Sequence, residues 1–391
     1  MQQPGFFAVV AREWRHLLRD RSDAFFVFGL PLLLGLLLVW TFASATPRGL
    51  PVLVLDQDGS HESRQLTRLI DAAPGVSVAQ RTPIAGQAWE ALETRQVYGV
   101  VHIPRGFTDE LVAGRRPTVQ FQHNAQYATH SAQLRRDVQM AVATFSTAVE
   151  LTAEQRQGRP NPYALDAAQP IPVASETLFN ESLDYQRFLA AALWPAVLQM
   201  VLMITAVAAV GRELRDGTAQ RWLDVAGGGV TTAVVAKLLP YAVFYFVLSV
   251  GMLLWLSLGR SIPVAGSVWV LVVGLALLVA AGLSLGLLAV ALVRNYRMAL
   301  SVTAFYTAPA FAFAGHAFPL ASMPVGAQVW AALLPLTYWL PLQNQQWLAG
   351  APASYALGLL GALALYVLIP LVLGLLLLRR RGFSPEAWGA R

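Results

Sequence analysis

A short charged segment is the part of this sequence best suited to a chemical interaction. It lies from Arg212 to Asp224 (RELRDGTAQRWLD), between two stretches, 188–211 and 238–259, that carry no Asp, Glu, Lys or Arg. Each flanking stretch reaches the roughly 20 apolar residues that a helix needs to cross a bilayer. A loop of this size is too small to fold by itself. Its charges are therefore predicted to bind another protein through ion pairs.

Residue patterns for catalysis give little support to an enzyme. The sequence has no GxxxxGK[ST] loop for nucleotide phosphates and no HExxH zinc motif. It has no cysteine, and its six histidines are scattered. His123 and His130, seven residues apart, are a weak candidate for a metal site. The chain is predicted not to be an enzyme and to bind no cofactor or metal.

Ion-driven transport is also disfavoured. The predicted spans contain no Asp or Glu, which are the usual mark of proton or ion coupling inside a membrane. Energy for transport would then be supplied from outside the membrane, and the charged segment is the expected point at which it enters the protein.

Composition places the chain in a membrane. Of 391 residues, 56% are hydrophobic and 13% charged, against about a quarter charged in soluble proteins. The net charge is +6, but the basic residues lie at predicted membrane boundaries, so this charge does not indicate nucleic-acid binding. The predicted fold is an α-helical polytopic membrane protein with six transmembrane helices and both termini cytoplasmic. An α/β extracytoplasmic domain is inserted between helices 1 and 2.

Residues 1–23 are predicted to form an amphipathic helix at the cytoplasmic surface, on lipid or on a protein partner. Residues 24–45 follow as transmembrane helix 1. A cleaved signal peptide is the alternative, but the apolar run exceeds the usual ~7–15 residues of a signal core. The residues assigned to the surface helix are Arg12, Glu13, Trp14, Arg15 and Arg19.

Residues 46–185 differ in character from the rest. Strand-like LPVLVLDQD begins at Leu50, and a helical segment that Ser60 can cap follows it. Strand-like and helical segments continue to alternate, which predicts a small α/β domain outside the cytosol. Four prolines within 159–172 indicate an extended connector.

Residues 186–381 are predicted to hold transmembrane helices 2–6, with a cytoplasmic coupling loop at 211–230. Span five is expected at about 298–316. The apolar segment 317–352 is broken by prolines, so it is predicted to form re-entrant helices packed against protein. Residues 382–391 form a cytoplasmic tail.

Arginine positions set the predicted topology. With six spans, only Arg260 of the 11 Lys and Arg residues after residue 188 lies outside the cytosol. The three arginines at 379–381 then end the last span, at about 353–378, on the cytoplasmic side.

The coupling loop is predicted to be a rigid corner. Gly217 can end the helix that continues from span two, because glycine adopts a left-handed conformation at low cost. Thr218 can cap the next helix through its hydroxyl. The charged side chains would then face the cytosol; an ordinary hairpin is the alternative.

This loop resembles the conserved cytoplasmic loop of ATP-binding-cassette type-2 export permeases, in the subgroup with a large extracytoplasmic domain. Arg215 departs from the family pattern, since a second acid is common there, and Gly227-Gly228-Gly229 replaces a Thr-Pro turn. The matching blocks are Arg12-Glu13 with Arg19-Asp20, LPVLVLDQDGSHESRQLTRLIDA, Gly211-Arg-Glu-Leu-Arg-Asp-Gly-Thr218 with Trp222-Leu223 and Lys237, and the proline-rich residues from Phe318 to Ala351.

The resemblance implies a half-transporter in a bacterial inner membrane. Two permeases, identical or homologous, would pair, and each would engage a separate ATP-binding subunit that holds ATP and Mg. A periplasmic adaptor is a further expected partner. The residues that the resemblance assigns to the ATPase-subunit contact are Arg212, Glu213, Asp216, Gly217, Thr218 and Arg221.

An uncharged pathway favours a lipophilic or amphipathic substrate, drug-like or lipid-like, exported from the cytoplasm or inner leaflet. Gln199, Tyr306 and His316 are the polar groups expected along it, and helix packing is the alternative role for each. The alternative function is a non-transporting membrane receptor or assembly scaffold that presents the α/β domain.

Overall fold

The computed structural model describes residues 4–43, 48–115, 117–123, 128–156, 184, 186–259, 262–293 and 295–382. The chain divides into two compact units, Met1–Ala43 with Tyr185–Arg391, and Ser44–Asp184. The predicted connector at 159–172 and nearly all of the predicted tail lie outside the described residues.

Two helices begin the first unit. Helix α1 (Phe6–Arg19) buries Val9, Glu13 and Leu17, which lie at successive turns of one face. Helix α2 (Arg21–Thr41) follows directly. Between them, the carboxylate of Asp20 accepts hydrogen bonds from two backbone N–H groups of the first turn of α2. This N-cap fixes the corner between the two helices.

The second unit is a small α/β fold. Its sheet has the strand order β2–β1–β3–β4, in which only β4 is antiparallel to its neighbour. As predicted, Ser60 caps the first helix by accepting from the Ser63 backbone at 3.0 Å. The elements are β1 (Leu50–Asp56), α3 (His61–Asp71), β2 (Val76–Thr82), α4 (Ala85–Glu93), β3 (Gly99–Ile103), α5 (Phe107–Val112), β4 (Gln120–His123) and α6 (Ala128–Arg156).

The rest of the first unit is helical. Among the described residues, five helices are long and apolar enough to cross a membrane: α2 and the helices at 186–215, 230–259, 268–293 and 353–380. The pair of helices at 325–332 and 336–348 makes a sixth if it counts as one bent span. The elements are α7 (Gln186–Arg215), α8 (Ala219–Val225), α9 (Val230–Gly259), α10 (Val268–Val293), α11 (Tyr296–Thr307), α12 (Ala310–Phe313), a 3-10 turn (Leu320–Ser322), α13 (Val325–Ala332), α14 (Leu336–Leu348) and α15 (Ala353–Arg380).

The predicted fifth span at about 298–316 is not one continuous helix. Helix α11 ends at Thr307, and the four-residue α12 starts only after Pro309. Proline has no N–H to donate and clashes with the preceding turn, so it breaks the helix. The 12 residues of α11 extend about 18 Å, which is well short of the ~30 Å hydrocarbon core.

The predicted re-entrant segment consists of short helices, with an 80° bend between α13 and α14. Three side-chain hydroxyls bond carbonyls at the end of α13. Thr337 donates to Ala331 O at 2.7 Å, Tyr306 to Leu333 O at 2.5 Å, and Tyr366 of α15 to Ala332 O. Broken backbone is tolerated at membrane depth only when its polar groups are bonded in this way.

Helices α7 and α10 approach closely at two glycines of α10. A Cβ on Gly286 would lie 2.5 Å from the Met203 carbonyl oxygen, and a Cβ on Gly282 would lie 2.8 Å from the Leu202 Cβ. The run from Gly282 to Gly286 also matches the letters GxSxG. It lies in mid-helix, however, and not on the strand-to-helix turn of a nucleophile elbow. These glycines therefore serve helix packing.

Candidate functional site: a buried charge network

Charged side chains from four helices meet beside the coupling loop and form one connected set, here called the charge network. Its members are Arg12 and Glu13 of α1, Asp23 of α2, Arg212 and Glu213 of α7, and Lys237 of α9.

Lys237 is the centre of the charge network. Its ammonium donates to Glu13 Oε2 at 2.5 Å and to Glu213 Oε1 at 2.8 Å. The relative exposures of Lys237, Glu13 and Glu213 are 0%, 2% and 3%. The ring of Trp222, from the loop helix α8, lies with its centroid 5.4 Å from the ammonium nitrogen. One lysine thus joins α1, the end of α7 and the start of α9.

Two arginines complete the ion pairs. Arg212 donates through Nη2 to Glu13 Oε1 at 2.8 Å and through Nη1 to Asp23. Arg12 donates to Glu213 Oε2 at 2.9 Å. Each carboxylate therefore has at least one cationic partner, which a charge needs when it is taken out of water.

Two hydroxyls use the remaining capacity of the central carboxylates. Tyr241 donates to Glu13 Oε1 at 2.5 Å, and Thr218 donates to Glu213 Oε2 at 2.5 Å. Every member of the charge network thus makes at least one of these bonds, although Arg12 Nη1 is buried without a partner among the described residues. Bonded buried networks are rigid, and removal of one partner leaves charge uncompensated. The charge network therefore resists rearrangement of the four helices one at a time.

The ionised form of Glu13 is favoured in the folded protein. Burial raises the pKa of its carboxyl, but attraction to Lys237 and Arg212, with hydrogen bonds from Lys237 and Tyr241, outweighs burial. Together they hold the pKa below its usual 4.5. A lowered pKa contributes stability that is present above the unfolded value and lost as pH falls through the folded value.

Acidification is therefore expected to weaken the membrane unit. The melting temperature of the purified chain should stay flat near neutral pH and fall as the pH drops below about 4.5. Glu13→Gln should melt lower than wild type at neutral pH and lose less on acidification, because it carries no proton-linked charge there. Thermal melts of both proteins between about pH 7 and pH 3 test this. An equally steep acid loss in both would contradict it.

The coupling loop turns at Gly217 as predicted, but the next helix, α8, lacks the predicted side-chain cap. Gly217 has the expected left-handed φ of 67° and follows the end of α7. The Thr218 hydroxyl does not cap α8. The prediction that it does so is wrong: the hydroxyl is oriented toward the buried carboxylate of Glu213, to which it donates, and its oxygen accepts no N–H of the first turn of α8.

The six predicted contact residues separate into two groups. The prediction that Arg212 and Glu213 face the cytosol is wrong. Helix α7 continues through both residues and turns them into the bundle, where Arg212 bonds Glu13 and Glu213 bonds Lys237. Asp216, Gly217 and Arg221 are exposed, and Thr218 is half-buried. Only the second group presents a surface that another protein can reach.

The surface helix divides in the same way. Glu13 is buried in the charge network and Arg12 contributes to it, while Arg15 and Arg19 are exposed. Trp14 stacks on Phe28 of α2, with ring centroids 6.1 Å apart. The helix is therefore bonded to the bundle through one face and leaves two arginines on its outer side.

Sequence reasoning missed Lys237, Asp23 and Tyr241 as site residues. A usable signal existed for Lys237, which is the only charged residue between Asp224 and Arg260. A lone charge in an apolar stretch almost always faces a partner inside the bundle. Tyr241 lies one helical turn further along α9, and nothing in its own type or spacing marks it.

The three residues predicted along a substrate path do not come together. Gln199 is fully buried in α7, and its amide makes no hydrogen bond within the described residues. Tyr306 bonds the re-entrant bend, and His316 lies 2.8 Å from the Phe188 carbonyl oxygen. Within the part of the chain that the structure describes, no hydrogen bond or ring contact joins any two of them.

One group of potential metal ligands occurs within the described ranges. The ligand atoms of His16, Asp20 and Asp23 lie within 4.8 Å of one another. They are already in use: His16 Nε2 lies 2.7 Å from Asp23 Oδ2, which Arg212 also bonds, and Asp20 caps α2. This arrangement serves ion pairing and capping.

A cavity of about 320 Å³ adjoins the charge network. It lies between α2, α7 and α11, and Tyr241 of α9 reaches its edge. Apolar side chains form most of its wall. The polar side chains on the wall are Ser22, Asp23, Thr205, Arg212, Tyr241 and Tyr296.

Comparison with known proteins gives the family. A model of the ABC-2 family transporter proteins matches residues 21–376. The chain is 21% identical over 354 residues to the probable multidrug ABC transporter permease YbhR of Escherichia coli strain K12. This match covers 88% of the chain and 90% of that relative, and the O157:H7 protein matches equally. The chain thus belongs to the ABC-2 transporter family and is a multi-pass membrane permease homologous to a multidrug ABC transporter permease.

Proposed function

We propose that this permease exports a lipophilic or amphipathic, drug-like or lipid-like substrate out of the cytoplasm or the inner leaflet. A separate ATP-binding ABC subunit, which holds ATP and Mg, supplies the energy. The resemblance of the coupling loop and family membership both support such a partner. The E. coli relative supports the multidrug substrate class and the bacterial inner membrane by its name and source.

The observation that carries the proposal is the connection between an exposed charged loop and a buried charge network. Asp216 and Arg221 are exposed on the loop. Behind them, Thr218 and Trp222 contact Glu213 and Lys237, respectively. A force applied to the outside of the loop thus reaches the charge network through two direct contacts.

The charge network distributes that force over several helices. Lys237 bonds α1 and α7 from its place in α9, and Arg212 bonds α1 and α2 from α7. Separation of α1, α7 or α9 would take at least one cationic partner from a buried carboxylate, and breaking a buried ion pair costs roughly 3–5 kcal/mol. Movement of these helices together is cheaper. The ATP-binding subunit would move them as one body.

Assembly follows from the same account. A second permease, identical or homologous, pairs with this one in the membrane, and each binds one ATP-binding subunit. With six segments crossing the membrane, both termini lie in the cytoplasm, and the distribution of arginine supports this side. The unit Ser44–Asp184 then lies in the periplasm, where an adaptor is its proposed partner.

Gln199, Tyr306 and His316 remain proposed contacts along the substrate path. Gln199 supports this best, because an unbonded amide buried in a membrane gains a partner when a polar substrate passes. A bonded Tyr306 contributes through the shape of the re-entrant bend.

Copurification tests the proposed function. The full chain is expressed with an ATP-binding ABC subunit from the same genome, purified through a tag on the permease, and tested for ATP hydrolysis in proteoliposomes. A stable complex that hydrolyses ATP faster than the isolated ATP-binding subunit is expected. A permease that binds no such subunit would instead support a receptor or scaffold.

A further inference from the structure

The cavity beside the charge network has the wall of a site for an amphiphile. Ser22 and Asp23 are consecutive lining residues at the start of α2, and Asp23 bonds Arg212 across the cavity wall. Tyr296 also lines the cavity, within electrostatic range of Asp23 and Arg212. Apart from Thr205 and Tyr241, the remainder of the wall is apolar and includes Leu30 of α2. Its volume of about 320 Å³ falls within the roughly 300–1,000 Å³ of small-molecule sites. A ligand that fits it has one polar end and an apolar body.

The polar end of the cavity offers unused hydrogen-bond acceptors. Arg212 and His16 both contact Oδ2 of Asp23, and Oδ1 accepts no side-chain or backbone hydrogen bond from the described residues. The hydroxyls of Ser22 and Tyr296 likewise make none within the described ranges. All three side chains line the cavity, so each offers an oxygen atom that can accept from a ligand.

The cation beside these acceptors is already compensated. Both terminal nitrogens of Arg212 donate to carboxylates, one to Glu13 and one to Asp23. Arg212 is also the less accessible partner, since its side chain is 16% exposed and that of Asp23 is 34% exposed. A head group that donates hydrogen bonds fits this wall better than one that accepts them.

We propose that this cavity binds an amphiphile with a protonated amine head. The ammonium donates to Asp23 Oδ1 and to the hydroxyls of Ser22 and Tyr296, while the apolar body lies along α2 and α7. This proposal rests on the proposed function, for which it names a substrate class and a site. It also places the ligand on a member of the charge network, so binding and loop movement share Asp23 and are coupled in both directions.

Direct binding tests the site without the ATP-binding subunit. The full chain is placed in phosphatidylcholine nanodiscs, and saturable binding of tritiated dodecylamine is measured, with dodecanol and dodecyl phosphate as competitors. Dodecylamine is expected to compete about tenfold or more better than either, which is the effect of one charge-assisted hydrogen bond. Equal competition by all three would overturn the amine head.

Two matched variants locate the binding. Ala208→Phe fills the cavity from α7 and is expected to abolish saturable binding, whereas Ala276→Phe adds the same ring to the exposed side of α10 and should leave binding unchanged. Equal binding by wild type and Ala208→Phe would overturn the site. Circular dichroism of both variants confirms that they are folded.

The source of the amine is resolved in the same assay. Replacement of half of the phosphatidylcholine by phosphatidylethanolamine lowers dodecylamine binding if a bilayer lipid occupies the cavity, and leaves it unchanged if only single-chain amines do. Failure of the exporter hypothesis would show as loss of ATP hydrolysis with this binding intact. Failure of the cavity proposal would show as loss of this binding alone.

Discussion

Lys237→Met is expected to destabilise the membrane unit by roughly 3–5 kcal/mol. The substitution keeps the length of the side chain but removes the charge that Glu13 and Glu213 share. Two carboxylates at 2% and 3% exposure then lose their central partner. The expected result is a large drop in the melting temperature of the detergent-purified chain. Melting is measured as the loss of the monodisperse peak in size-exclusion chromatography after heating.

A second substitution should recover part of that loss. Lys237→Met with Glu13→Gln removes one charge of each sign and leaves the Arg12–Glu213 and Arg212–Asp23 pairs in place. It should melt above Lys237→Met alone, because contacting residues give non-additive changes in free energy. Arg297→Met, on the exposed start of α11, is the matched control. A Lys237→Met protein as stable as this control would contradict the account.

Charge reversal on the exposed loop is expected to release the ATP-binding subunit. In Asp216→Lys with Arg221→Glu, both altered side chains lie outside the charge network and are exposed, so the chain should melt as wild type does. Binding of the partner should weaken by about 2–5 kcal/mol, which is about 30-fold or more in Kd. Microscale thermophoresis of the partner against the permease in nanodiscs measures this.

The control for charge reversal lies in the second unit. Arg68→Glu with Glu90→Lys reverses one exposed charge of each sign on α3 and α4 and should bind the partner normally. Equal Kd values for the loop variant and this control would show that the exposed loop is not the contact surface.

Apolar runs and glycines were sufficient to predict much of the fold. The uncharged stretch from Phe188 forms the apolar part of α7. Gly217 lies just beyond the end of this helix and has the expected left-handed backbone conformation. Both features depend on a residue and its immediate neighbours, which a sequence displays. The break at Pro309 comes from the missing N–H and the ring of proline, which hydropathy does not measure.

Side-chain partners across the fold were not predictable from local pattern. Thr218 has the residue type and position of an N-cap, yet Glu213 takes its hydroxyl. Glu13 looks like part of a polar face, yet it lies on the face that packs against the bundle. In each case the outcome depends on Lys237, which is more than 20 residues away from both acids along the chain. Local sequence patterns do not report contacts between residues so far apart in the chain.

The most direct test of transmission through the charge network is the ATP hydrolysis rate of the reconstituted complex with Glu213→Ala. Glu213 lies behind the proposed contact surface and does not form part of it. The account predicts that the partner still binds, but that the permease no longer stimulates hydrolysis above the rate of the isolated ATP-binding subunit. Stimulation equal to wild type in a correctly assembled complex would contradict it.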